Sequence, residues 1–412
     1  MTRASAGLAV LLAYAIVTIW IDGRWAWSLF QCAVFLLVAG WAAGQLRQPS
    51  PVAGSLWLAP LCAAAAWGLV QLATQRTVYR WATWNATLNW ATWLAIFFLA
   101  LQIFQPASAR RWFLRFALYF GFGLSVVATV QMFTSGGKIF WLFASGYSDF
   151  VMGPFVYRNQ YAAFLETILP IALWDALRDR HRVLADCAMA AAMLASVEAA
   201  GARAGTILMC AEVAAVLVAA WRRGTTPARL VARGFAVFAT VAVLFTAIAG
   251  WQVLRLRFMN DRDPFGGRRE FLASSVAMVK DRPAMGFGLG NWPRAYPAYA
   301  LFDDGTYVNQ AHNDWMQWAV EGGLPFLAML LWLAGMVLPA AWKSVWGIGL
   351  VSLWVHCLVD YPMQQRPAVG AWFFALLGLM AAGRAGRGRP DPEGSPAWTP
   401  APPGFVVLSN TD

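Results

Sequence analysis

Long stretches almost empty of charge constrain this chain more than any other feature: Trp25 to Ala43, Val52 to Leu72, Phe113 to Met132, Gly234 to Trp251 and Leu324 to Ala341. Each approaches the roughly 20 apolar residues that a membrane-spanning helix needs. In hydrocarbon every backbone N–H and C=O has to be satisfied within the protein, so such stretches fold as helices. Composition agrees, since 60% of the 412 residues are hydrophobic and 12% are charged, outside the range of soluble domains. The expected architecture is an all-α polytopic membrane protein of about twelve transmembrane helices. Its first span, Gly7 to Ile21, has the length of a signal-peptide core. No small-residue cleavage site precedes Asp22, and the segment is read as a helix.

Basic residues set the expected orientation. With both termini inside, Arg3, Arg47, Arg110, Arg111, Arg178, Arg182, Arg222, Arg229, Lys343 and Arg384 fall on the inner side. The short outer loops hold Arg24, Arg76, Arg80, Lys138, Arg158, Arg203 and Arg366. This positive-inside excess puts the one long polar loop outside. The net charge of +11 is then mostly topology, and no nucleic-acid partner is expected.

By this reading residues 1–251 carry helices one to nine, 252–313 form the outer loop, periplasmic if the membrane is a bacterial inner membrane, and 314–382 carry helices ten to twelve. The tail 383–412, rich in Gly, Pro and Arg, is expected to be disordered in the cytoplasm. A loop that long points to function or to short helices of its own. Arg269 to Val279 has amphipathic spacing through Phe271, Leu272, Ser275, Val276 and Val279, and Asp281, Pro283, Gly286, Gly288 and Gly290 then end it. Gly286 to Gly290 lacks the third-glycine spacing and preceding strand of a dinucleotide site. The five cysteines lie in expected spans without disulfide or zinc spacing. Asp303-Asp304 before Gly305 reads as a turn, so neither a metal nor a cofactor is expected.

Ionisable groups at the rim of a membrane are costly, which makes each a functional candidate. Arg203 sits in the small-residue turn Gly201-Ala202-Arg203-Ala204-Gly205, Arg268 and Arg269 open the loop helix, and Arg158 with Asn159 precedes span six. Guanidinium forks match phosphate oxygens, so arginines converging at the outer rim suit a lipid diphosphate. A lone arginine there serves equally as a headgroup anchor. His312, at the entrance to span ten, can exchange a proton near neutral pH, which suits activation of a hydroxyl. On a helix, Asn313, Gln317 and Glu321 form one polar stripe, which implies a cavity or a partner. His356, with Asp360 four residues on, reads as a buried polar pair that supports packing. His181 reads as solvated.

His312-Asn313-Asp314-Trp315-Met316-Gln317 followed by Glu321-Gly322-Gly323-Leu324 resembles a pattern of the O-antigen ligase superfamily of bacterial membrane glycosyltransferases. Gly267-Arg268, Asp281-Arg282-Pro283 and Gly286-Phe287-Gly288 are similar to its arginine, proline and glycine pattern. Tyr157-Arg158-Asn159-Gln160-Tyr161-Ala162 and Arg203 fall where the family places polar residues. The likeness covers Gly153 to Leu324. It departs at Ala202, where the family has a serine whose hydroxyl could position the guanidinium.

The resemblance implies metal-independent transfer of a glycan from a polyprenyl (undecaprenyl) diphosphate carrier to an acceptor hydroxyl, the lipid A core in a ligase, at the outer face of the inner membrane. It gives Arg203 and Arg268 to the leaving diphosphate and His312 to acceptor activation. Arg158, Asn159, Arg269, Asn313, Gln317 and Glu321 are the candidate substrate-binding set. Repeat-unit polymerases and protein O-oligosaccharyltransferases resemble this enzyme in donor chemistry and differ in acceptor. The reading from another class is a membrane transporter, which expects its binding groups near the bilayer midplane on broken helices.

Overall fold

The computed structural model describes residues 3–146, 151–179, 181–223, 227–249, 255, 259, 267–302, 305, 307–364 and 366–385. The chain begins with α1 (Arg3–Val17), α2 (Arg24–Arg47), α3 (Leu58–Ala73), α4 (Arg80–Ile103) and α5 (Ala107–Thr134). A small antiparallel hairpin follows, β1 (Lys138–Ile139) against β2 (Phe143–Ala144), with Ile139 opposite Phe143. Then come α6 (Arg158–Glu166), α7 (Leu169–Arg178), α8 (Val183–Ala199), α9 (Arg203–Arg223) and α10 (Ala228–Ala249). The remaining longer helices are Arg268–Asp281, Asp314–Lys343, Ile348–His356 and Ala368–Ala385.

The chain is a multi-pass helical protein in which, among the described residues, seven helices, α2, α4, α5, α9, α10, Asp314–Lys343 and Ala368–Ala385, are long and apolar enough to cross a membrane. Among the described residues, length alone thus supports seven of the expected twelve or so spans. Other expected spans fall on shorter apolar helices, α1, α3 and Val345–His356. α6 and α7 are separate because Thr167 turns its hydroxyl onto the carbonyl of Phe164 and Pro170 lacks an N–H to continue the ladder. α8 has only 17 residues.

Ala368–Ala385 is the axis of the bundle. Between helices in lipid the apolar effect is weak, so close packing has to hold them. Added Cβ atoms at Gly370 and Gly378 would lie 2.5 Å from the Trp93 ring and 2.4 Å from the Phe97 carbonyl, so only glycine lets α4 approach this closely. Trp372 donates its indole N–H to Leu12 O at 2.8 Å, and its ring lies parallel to Phe120 at 5.5 Å.

Asp314–Lys343 is broken at Gly323, whose φ of +77° and ψ of 177° suit glycine almost alone. The break frees carbonyls that need donors. Val320 O accepts from Phe287 N at 3.0 Å, and Glu321 O accepts from Gly288 N at 2.9 Å and Gln71 Nε2 at 2.8 Å. Gly322 O accepts from Trp67 Nε1 at 2.8 Å, and Leu324 N donates to Pro283 O at 2.7 Å. Residues 283–292 thus clasp the broken helix on one side and α3 on the other. Gly286, at φ +66°, fits there because a Cβ would meet the Val320 carbonyl at 2.5 Å.

The amphipathic loop helix is present as Arg268–Asp281, but its inward face is Phe271, Ser274, Ser275 and Met278, with Leu272 exposed. Ser275 faces inward because its hydroxyl accepts the indole N–H of Trp292 at 3.0 Å, and Phe271 meets that ring edge-on. The last helix continues to Ala385, three residues into the expected tail. Residues 386–412, Asp303, Asp304 and most of 252–266 lie outside the described residues.

Candidate active site

The chain leaves the Ile348–His356 helix, turns, and presents Asp360 to three other segments. The carboxylate is 1% exposed. From the start of α6, the Tyr157 hydroxyl sits 2.9 and 2.8 Å from its two oxygens, and Asn159 Nδ2 donates both to Oδ2 and to the Tyr157 oxygen. From the first residue of the loop helix, Arg268 Nη2 lies 3.7 Å from Oδ2. From just before the broken helix, His312 Nδ1 lies 3.3 Å from Oδ1, at ion-pair range but without the alignment of a full hydrogen bond. Arg268 Nε is buried with no hydrogen-bond partner.

Local structure aims the imidazole. His312 has φ +52°, a left-handed backbone that non-glycine residues hold only when their surroundings enforce it. Enforcement comes from the next two residues. Asn313 caps the helix by accepting Met316 N at 2.9 Å. Asp314 N donates to Cys357 O at 2.8 Å, and Asp314 Oδ2 accepts Met363 N at 3.0 Å. The His312 ring then stacks on Phe271 at 5.8 Å and meets Tyr361 edge-on at 4.7 Å, while Tyr361 lies parallel to Tyr157 at 5.1 Å. Among the described residues Nε2 has no partner, so it is the nitrogen open to a reactant.

Burial alone would raise the Asp360 carboxyl, but His312, His356 and Arg268 outweigh it and hold the group below the usual carboxylate range. Burial and the adjoining Asp360 charge push the Tyr157 phenol well above its ordinary value, so it remains a donor. An ionised Asp360 orients Nδ1–H of the imidazole and leaves Nε2 as the proton acceptor. Tyr157 and Tyr361 also line a cleft of about 370 Å³ that reaches Asp22 and Arg366.

Of the residues singled out in the sequence, His312, Arg268 and Asn159 meet at Asp360. Arg158 is half-buried at the start of α6, and Arg269 is exposed beside Arg268. Arg203, half-buried, opens α9, which packs against α6 so tightly that a Cβ at Gly205 would lie 2.4 Å from Ala162 Cβ. Arg203 is thus at the same end of the bundle as Arg158, but it is not one of the groups on Asp360. Asn313 is a helix cap. Gln317 and Glu321 are 2% and 1% exposed and face the clasp instead of an open surface. Glu321 accepts from Gly290 N at 2.8 Å, Trp292 N at 3.1 Å and Gln317 Nε2 at 3.0 Å. The partner implied by the polar stripe is the loop's own backbone.

Asp360 itself needs a correction. Its expected side-chain pairing with His356 does not form: Asp360 N still donates to His356 O at 3.0 Å, but the His356 imidazole turns to Glu166, with Nδ1 2.7 Å from Oε1. The signal that could have found Asp360 and Tyr361 is an acid flanked by aromatic and proline, Asp360-Tyr361-Pro362, directly after an apolar helix.

No curated protein matches this chain by sequence. Residues 188–331 match the family model described as O-Antigen ligase, a stretch that contains Arg203, Arg268, His312 and Glu321 and stops short of Asp360. Its members are glycosyltransferase-like enzymes of the ligase or polymerase type. That match is carried by the segment that supplies two of the groups on Asp360, and it supports the likeness to the O-antigen ligase superfamily.

Proposed function

We propose that the Asp360 cluster transfers a glycan from a polyprenyl diphosphate to an acceptor hydroxyl at the outer face of a bacterial inner membrane, with the lipid A core as acceptor. The carrying observation is the convergence of His312 and Arg268 on one buried carboxylate. His312 Nε2 takes the acceptor's proton as its oxygen attacks the anomeric carbon. The bond from that carbon to the diphosphate oxygen breaks, and its electron pair leaves on the diphosphate. Arg268, and Arg203 once donor is bound, stabilise the charge that grows there, which is where preorganised cations help most. These two arginines supply the stabilisation, so the reaction is written without a metal. A single displacement of this kind inverts the anomeric centre. Arg158, Asn159 and Arg269 hold the donor's rim, while Asn313, Gln317 and Glu321 position the groups around it.

The test uses full-length protein in liposomes with undecaprenyl diphosphate-linked glycan and lipid A core. His312→Ala and Asp360→Asn should lose transfer while retaining donor. Glycan on the core marks a ligase, and elongated carrier-linked glycan marks a polymerase instead. Normal transfer by both variants sinks the assignment.

A further inference from the structure

The helix ends far from Asp360 carry a second cationic centre. α5 begins, α7 ends and Ala368–Ala385 ends at this pocket, whereas Ile139 and Ala144, just after the other end of α5, line the cleft that holds Tyr157 and Tyr361. Arg110, Arg111, Arg178 and Arg384 line one pocket of about 190 Å³ here, together with Ser344. Its remaining wall includes Leu114, Trp346 and Leu379.

Two of these cations are braced against aromatic rings. The Arg178 guanidinium lies over Trp174 at 4.6 Å from the ring centre, and Arg384 lies over Trp57 at 5.7 Å. Stacking occupies the face of a guanidinium and leaves its in-plane donors pointing outward. Arg110 donates to Phe104 O at 3.0 Å and lies across Gly383. Among the described residues Arg111, Arg178 and Arg384 have no carboxylate within ion-pair distance, and the nearby acids are committed elsewhere. Asp175 pairs with Arg115 and Arg182, and Asp186 with Arg182.

Like charges gathered around one concavity repel unless an anion joins them. Planar donors around a space of this size fit phosphate oxygens, and an apolar wall beside them fits the start of acyl chains. We infer that this pocket binds a phosphate group, presented by an anionic phospholipid of the adjoining leaflet. The site is independent of the glycan-transfer reading and stands or falls without it.

Native mass spectrometry of the full-length protein, released from nanodiscs of equal phosphatidylglycerol and phosphatidylcholine, tests this directly. Wild type should retain phosphatidylglycerol in preference, and the double variant Arg178→Ala/Arg384→Ala should lose about tenfold of that preference, the worth of one charge-assisted hydrogen bond. Arg47→Ala, which removes an arginine outside the pocket, should retain it, so a general loss of surface charge is excluded. Arg178→Lys/Arg384→Lys keeps the charges and should recover only part of the preference, and it guards against misfolding of the alanine variant. Competition by millimolar inorganic phosphate, with no preference between lipids, assigns the same pocket to free phosphate and overturns the lipid as source. Equal retention of both lipids by wild type and variants, with no phosphate effect, overturns the site.

Discussion

Glu321 and Asp360 are both buried carboxylates at the same end of the bundle, yet they are satisfied by different kinds of partner. Glu321 receives two backbone amides of one loop and one side-chain amide from its own helix. Asp360 receives a phenol, a carboxamide, a guanidinium and an imidazole from three separate segments. Backbone amides neither titrate nor leave, so the first arrangement fixes a shape. Ionisable side chains with spare donors can exchange a proton or turn to a substrate, so the second arrangement can perform chemistry. Burial alone does not separate the two cases; the identity of the partners does.

The sharpest test of this contrast is the rate of transfer. His312→Ala and Asp360→Asn should each lower turnover per folded molecule by about 10²–10⁴-fold, the usual worth of a positioned general base. A loss under tenfold in both, in protein that still unfolds cooperatively, would remove Asp360 from the reaction. Arg268→Ala should cost about 10²–10³-fold, the effect of deleting one preorganised stabilising donor. If donor retention falls while the rate with saturating donor is unchanged, Arg268 only binds.

Glu321→Ala should invert the pattern. Leaving the amides of Gly290 and Trp292 without an acceptor costs about 1–3 kcal/mol for each, read as a lower melting temperature, with far less loss of rate than Asp360→Asn. Equal rate losses in the two variants would erase the distinction drawn here. Gly323→Ala, forced into a backbone region reserved for glycine and against the Ala284 carbonyl at 2.6 Å, should destabilise by about 1–3 kcal/mol.

The smallest effect is in pH. The folded Asp360 carboxyl lies below its ordinary value, so its contribution to stability is present above the unfolded value, about 3.9, and is lost as pH falls through the folded one. The melting-temperature difference between wild type and Asp360→Asn should stay flat from pH 8 to about pH 5 and shrink below about pH 4. A difference that closes between pH 7 and pH 5 would instead assign the linkage to a histidine.

Much of this contrast was hidden in the sequence, which put Glu321 in the binding set and Asp360 in the packing. Apolar runs and helix periodicity are local, and they located the long spans and the amphipathic loop helix well. The His312 and Arg268 candidates were legible because uncommon residue types stood at the rim of a membrane helix. What could not be read was which partner each acid meets, since Tyr157 and Asp360 are 203 residues apart in the chain. The glycine run 286–290 was visible but mute, because its role depends on a helix break at Gly323 that no periodicity marks.

Those separations bear on how the protein is made. Trp67 waits for Gly322, 255 residues later, and Asn159 waits for Asp360, 201 residues later. Contacts this distant close late. The ribosome therefore has to deliver nearly the whole helical bundle before the carboxylate that gathers the reactive groups exists at all. On the proposed function, a nascent chain halted anywhere before Asp360 leaves lipid-linked sugars untouched, and transfer activity is expected as the final act of assembly.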